Sequence, residues 1–110
     1  REVAAALANV ALIALPTTAL GAPPITDAEA IGGFVDPPAL DGACRFAFLG
    51  NLTGCPAGTA PVGRDNSGLP VGLQLLGDAW DDGCVLGALA HLERVGAARA
   101  ERPPVTAELF

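Results

Sequence analysis

Residues 51–77, NLTGCPAGTAPVGRDNSGLPVGLQLLG, hold six glycines and three prolines and then close on an apolar run. No continuous helix passes through such a stretch, because proline lacks a backbone donor and glycine raises the entropic cost of helix. Three readings compete: a phosphate-cradling loop, an active-site turn, or two strands joined by a tight connection. The first fails on chemistry. The chain contains no lysine for a P-loop, and its glycines do not fall as GxGxxG ahead of a helix. The strand pair fits residue by residue. RDNSG, residues 64–68, supplies turn formers between a strand over about 58–63 and a second strand. VGLQLLG sets Val71, Leu73 and Leu75 on one face against Gly72, Gln74 and Leu76 on the other. Gly63 and Gly72 then mark a bulge or a close backbone approach.

The flanking segments add one strand and several helices. Residues 1–8 form a helix tail, and VALIAL, 10–15, is apolar on both faces, as in a strand covered on both sides. PTTALGAPPI then leaves the sheet, since proline cannot donate to a ladder. Residues 22–43 are connection, punctuated by Pro23-Pro24, Gly32-Gly33 and Pro37-Pro38. A short helix at TDAEA has capping-box spacing between Thr26 and Glu29. A longer helix is expected from Asp41 to Gly54. The last helix follows Asp81 and Asp82, which suit the positive end of its dipole. Its apolar stripe is Val85, Leu86, Leu89, Leu92 and Val95, with Gly96 as the stop. The fold class is α/β: part of a mixed β-sheet of about three strands, including a C-terminal hairpin, flanked by helices. An extended, surface-lying tail follows ERPP.

Composition narrows function mainly by exclusion. Of 56 hydrophobic residues 22 are alanine, so the core must come from 15 Leu, 8 Val, 3 Ile, 4 Phe and one Trp. That is thin for an autonomous fold, and the expectation is a single partial domain over residues 1–110. Net charge is −6 and all six cations are arginines without a cluster, which argues against a nucleic-acid partner. The first 23 residues imitate a secretory signal, but Glu2 cancels the only positive charge and Asn9 interrupts the apolar run. The run is also short of the ~20 apolar residues of a membrane span, so no membrane partner is expected. Cys44, Cys55 and Cys84 form no CxxC pair and have one histidine for company. They read as small buried residues in a reducing, cytoplasmic compartment, with no metal and no cofactor. Asn51-Leu52-Thr53 is formally a glycosylation sequon, disfavoured with the signal reading.

The inventory of reactive groups is short. Ser67 is the only serine and lies in the RDNSG turn, with no histidine near it in sequence. A hydroxyl nucleophile needs a base and a set of oxyanion donors. A Ser-Lys arrangement is impossible here, and a Ser-His one would rest on His91 alone, which projects away from the stripe beside Arg94. No catalytic residue is therefore assigned.

Four segments in order, VALIALPTTALGAPP, RFAFLGNLTGCPAGTAPVG, GLPVGLQLLG and DDGCVLGALAHLE, resemble the C-terminal part of the amidase-signature family. They run from about residue 9 to 95. The family includes bacterial amidases, the amidotransferase subunit that releases ammonia from glutamine, and fatty-acid amide hydrolases. Its members hydrolyse amides with a Ser, cis-Ser, Lys triad that lies upstream of the region matched here. The resemblance thus implies the C-terminal part of an amidase-type fold, a scaffold and pocket-wall segment that is inactive alone. The partner it implies is a missing N-terminal amidase portion or subunit, with a small-molecule amide as substrate only of the complete enzyme. A self-associating structural module derived from the same fold is the alternative. Residues facing the acyl pocket would be Ala47 and Gly50, three apart on one helical face, with Phe46 adjoining. Small residues there would make a roomier pocket or permit close helix packing. Asn51 would cap that helix or hold the next loop.

Overall fold

A computed structural model describes residues 1–25, 27 and 36–101. The elements in order are α1 (Glu2–Leu7), β1 (Leu12–Pro16), α2 (Pro37–Cys44), α3 (Ala47–Thr53), β2 (Ala57–Arg64), β3 (Pro70–Gly77) and α4 (Asp82–Arg94). Apart from Asp27, the expected helix at TDAEA lies outside the described residues, as do its capping box, Gly32-Gly33 and the tail beyond Glu101.

The three strands form one sheet in the order β1-β3-β2, with both pairings antiparallel. The hairpin forms where its turn residues place it. Asp65 closes the connection: its N–H donates to Leu69 O at 2.8 Å, and its Oδ1 accepts from Ser67 N and Leu69 N. Gly68 takes φ +80 there, a conformation an L side chain resists. The expected irregularity at Gly63 is a bulge, with the register shifting between Pro61 and Gly63. The prolines of the described strands occupy tolerant places, Pro16 and Pro61 on edge strands and Pro70 at the start of β3.

A helix covers each face of the sheet. On one side Val85 and Leu89 of α4 come so near the backbone that a Cβ on Gly58 would stand 2.5 Å from Leu89 Cδ1. On the other side α3 lies close, with the Cβ position of Gly50 3.3 Å from Ala57 Cβ and 3.6 Å from Leu76 Cδ1. This layering explains why Leu75 and Leu76, neighbours on opposite faces of β3, are both buried. Leu7, Ala60, Val85 and Ala98 complete the buried apolar set. The chain beyond α4 turns at Gly96 and runs back against β2, where Arg99 N donates to Pro61 O at 3.0 Å.

Several expectations need correction. The helix expected from Asp41 to Gly54 is two helices separated at Arg45 and Phe46, and the first begins at Pro37 behind Asp36. Proline is at home in the first helical turn, where its absent N–H has no partner to lose, so Pro37-Pro38 opens the helix instead of preceding it. β1 is an edge strand, with Leu12, Ile13 and Leu15 half-buried and Ala14 exposed, because it has a neighbour on one side only. On α4, Leu86 and Val95 are exposed; the buried face is Val85 with half-buried Ala88, Leu89 and Leu92. The N-cap expected of the aspartates is Asp81, whose Oδ1 accepts from Cys84 N at 3.3 Å. The three cysteines are free and half-buried, not buried, since two of them sit in terminal turns of helices and the third in a connection. Among the described residues no helix is long and apolar enough to cross a membrane.

Candidate functional site

The chain leaves β1 over the central strand. Thr17 N donates to Gly72 O at 2.9 Å, one rung past the β1 ladder. Gly72 has no side chain, so Thr17 and Thr59 reach over it until their hydroxyl oxygens are 3.4 Å apart. A Cβ on Gly72 would lie 2.4 Å from Thr17 Oγ1, the close approach foreseen for that glycine. The exit loop is then tied to α2, where Ala19 N donates to Gly42 O at 3.0 Å and Leu20 packs over Gly42. Thr18 Oγ1 donates to Leu20 O at 2.7 Å.

These contacts enclose a cleft of about 460 Å³ between Thr17–Pro23, Ala43 of α2 and Pro70–Gly72 of β3. Its walls are small and apolar, with two threonine hydroxyls as the polar side chains. No acid, base or cation is among its described lining residues. Such a cleft can seat a neutral or apolar group and offer it hydroxyl hydrogen bonds. It has nothing that moves a proton at neutral pH.

A larger cleft, about 610 Å³, lies beyond Pro70 between the hairpin turn, the bulge and residues 96–101. Ser67 borders it, together with Arg64, Arg99 and Glu101. The carboxylate here is engaged: Arg64 donates to Glu101 from one nitrogen and to Gly68 O from another, and Arg99 Nε is 4.0 Å from Glu101. The hydrogen bond from Arg64, reinforced by its charge, holds Glu101 below its ordinary pKa. A carboxylate so stabilised is a weaker base. His91 is not among the residues of this cleft; its Nδ1 stands 2.6 Å from Arg94 Nη2, exposed on α4. The structure therefore joins Ser67 to no histidine.

The lowered pKa carries a prediction for the strap formed by residues 96–101. A carboxyl group whose folded pKa lies below its unfolded value stabilises the fold above the unfolded pKa, about 4.3 for glutamate, and loses that stabilisation as pH falls through the folded value. Thermal melts of the chain and of Glu101→Gln, compared between about pH 2 and 7, should converge at the acid end. Parallel curves over the whole range would show that the pair does not hold the strap in solution.

Phe46, Ala47 and Gly50 lie together at the start of α3. Phe46 immediately precedes the helix, Ala47 opens it, and all three are half-buried. None of them lines either cleft. Gly50 is brought against Ala57 and Leu76, where its small size lets α3 lie on the sheet. The loop after α3 is held by Thr53 where Asn51 was expected: Thr53 Oγ1 donates to Leu49 O and accepts from Cys55 N at 3.3 Å. Thr17, Thr59 and Gly72 carry no signal as a group in the sequence, because only the strand order makes them neighbours.

Similarity to known proteins joins this arrangement to one family. The chain is 38% identical over 98 residues to the fatty acid amide hydrolase of Medicago truncatula, covering 89% of this chain and 16% of that protein. It is 38% identical over 87 residues to the fatty acid amide hydrolase of Arabidopsis thaliana, covering 79% and 14%. It is 42% identical over 90 residues to one subunit of the glutamyl-tRNA(Gln) amidotransferase of Chlorobium phaeobacteroides, covering 81% and 18%. The chain thus spans less than a fifth of the length of each of these relatives. The profile of the Amidase family matches residues 1–86, and with these identities it shows that the chain belongs to the Amidase family.

Proposed function

We propose that these 110 residues are the C-terminal scaffold and one pocket wall of an amide-bond hydrolase that works through a serine ester. The observation that carries this reading is an Amidase match over residues 1–86 in a chain with no lysine and one serine. In the proposed reaction a serine oxygen attacks the amide carbonyl, the amine leaves with a proton, and water then releases the acid. The Ser, cis-Ser and Lys of that reaction come from polypeptide outside these residues. The substrate is a small-molecule amide, met only by the complete enzyme. Phe46, Ala47 and Gly50 belong to the wall of its acyl pocket, Gly50 by letting α3 settle on Leu76. The free thiols fit a reducing compartment, which we take to be the cytoplasm.

The purified chain is expected to hydrolyse neither simple amides nor a fatty acid amide above the uncatalysed rate. Turnover that follows the chain through purification and disappears in Ser67→Ala would overturn the reading. A self-associating module is the second reading, favoured by β1, whose outer edge has no partner strand among the described residues. A stable homo-oligomer with cooperative melting is the result that would select it.

A further inference from the structure

Trp80 is the chain's single tryptophan, and it is 96% exposed. It occupies the third position of a turn closed by Asp81 N donating to Asp78 O at 3.1 Å, with φ +67. It is the one non-glycine residue at positive φ among the described residues. That turn position favours glycine or asparagine, and other L-residues resist the left-handed conformation. The turn is pinned on both sides, by Asp78 Oδ1 accepting from Ala79 N at 2.8 Å and by Asp81 capping α4. A large aromatic side chain thus stands in water on a pinned backbone in a strained conformation, almost fully exposed.

Other exposed apolar side chains border the same end of the sheet, on α3 over one face and on α4 over the other. Gly77, three residues before Trp80, pairs with Leu12 and donates to Pro56 O at 2.9 Å. Val10 lies two residues before β1 at this end and Leu52 is next to last in α3, with Phe48 one turn behind it. Leu52 is 83% and Leu86, in the second turn of α4, 65% exposed. Asp78, Asp81 and Asp82 give the turn a negative rim.

We infer that this end is a docking surface, anchored by Trp80, for the amidase polypeptide outside these residues. The inference rests on the reading under Proposed function. The occupant follows from two observations. The relatives are more than five times the length of the matched region, so most of an amidase lies beyond it. The carboxylates around Trp80 call for a partner pocket that is apolar at its floor and edged with arginine or lysine, which also attract an indole face. Strain held at a recognition residue is a cost recovered on binding, and a buried tryptophan is a common centre of interface energy.

The test uses the Medicago truncatula fatty acid amide hydrolase lacking its matching segment, accepted for use once its own segment, added back, restores hydrolysis. The chain carries 5-fluorotryptophan, so Trp80 gives one fluorine resonance free of tryptophans in the acceptor. The chain is expected to bind, to move that resonance into a solvent-shielded position, and to restore hydrolysis of a fatty acid amide. Trp80→Gly should bind at least about 30-fold more weakly, the loss typical of a central aromatic anchor. Because glycine relaxes the turn, the free variant should melt no lower than the parent, which separates docking from folding. Binding and hydrolysis with an unmoved resonance and an unweakened variant would overturn the inference and leave the proposed function standing. A chain that fails to bind, or whose resonance moves only as it pairs with itself, overturns the inference; the absence of hydrolysis then counts against the proposed function as well.

Discussion

Leu76→Ala should destabilise the chain by about 2–5 kcal/mol, the range for removing a fully buried leucine side chain. Leu76 is the one large side chain with 0% exposure among the described residues. It sits on the central strand with Ala57 paired on one side and Ile13 on the other, beneath Gly50 of α3. Its neighbours are small or fixed by strand pairing, so the cavity cannot collapse. A domain of this size holds only about 5–15 kcal/mol in all, and the loss is a large part of it. Urea unfolding of the parent, Leu76→Ala and Leu76→Met measures the effect, with methionine retaining most of the volume. A cost for alanine under about 1 kcal/mol would mean that α3 does not rest on the sheet as described.

Gly72→Val acts by the opposite mechanism. Its Cβ would lie 2.4 Å from Thr17 Oγ1, 3.0 Å from Thr17 Cβ and 3.2 Å from Thr59 Cγ2, before the valine methyls are counted. Thr17 cannot simply withdraw, because its own N–H is bonded to Gly72 O. Overpacking of this kind costs about 1–3 kcal/mol, and here it should also lever the exit loop away from β3 and widen the 460 Å³ cleft. The expected signature is faster amide exchange at Thr17 and Ala19 together with a lower melting temperature. Thr17→Ala opens space at the same point, so the double variant should lose less than the two single losses summed. Strict additivity would show that the two residues do not meet in solution.

Both effects lie where the site reading is also decided. The clash at Gly72 would act on a cleft with no proton-moving group among its described lining residues, and the cavity at Leu76 on the helix that Phe46 precedes and Ala47 opens. Changes at either place alter packing. They leave untouched a chemistry that the proposed function assigns to other polypeptide.

Local backbone chemistry was legible from residue order alone. RDNSG specified the hairpin turn, Gly63 and Gly72 the bulge and the close approach, Asp81 and Gly96 the ends of α4. Each of these signals acts within a few residues, through a fixed φ, a missing donor or a side chain that bonds its own backbone. The absence of lysine and the lone turn serine were equally plain, and they bounded the chemistry. The same local logic misjudged Pro37-Pro38, since a proline pair opens a helix as readily as it interrupts one. Burial was the work of the tertiary structure. Leu75 and Leu76 are both buried because α4 and α3 cover opposite faces, whereas Leu86 and Val95 are exposed on a helix whose apolar spacing includes them. β1 is apolar on both faces and still half-exposed, because strand order made it an edge. Thr17, Thr59 and Gly72 are far apart in the chain and meet only through pairing register. Trp80 reads in sequence as one more aromatic, and only the turn that holds it at positive φ in water marks it as unusual. Turns and caps follow from short-range sterics and hydrogen bonds, while burial depends on which distant segment covers a face, and that is set by the fold as a whole.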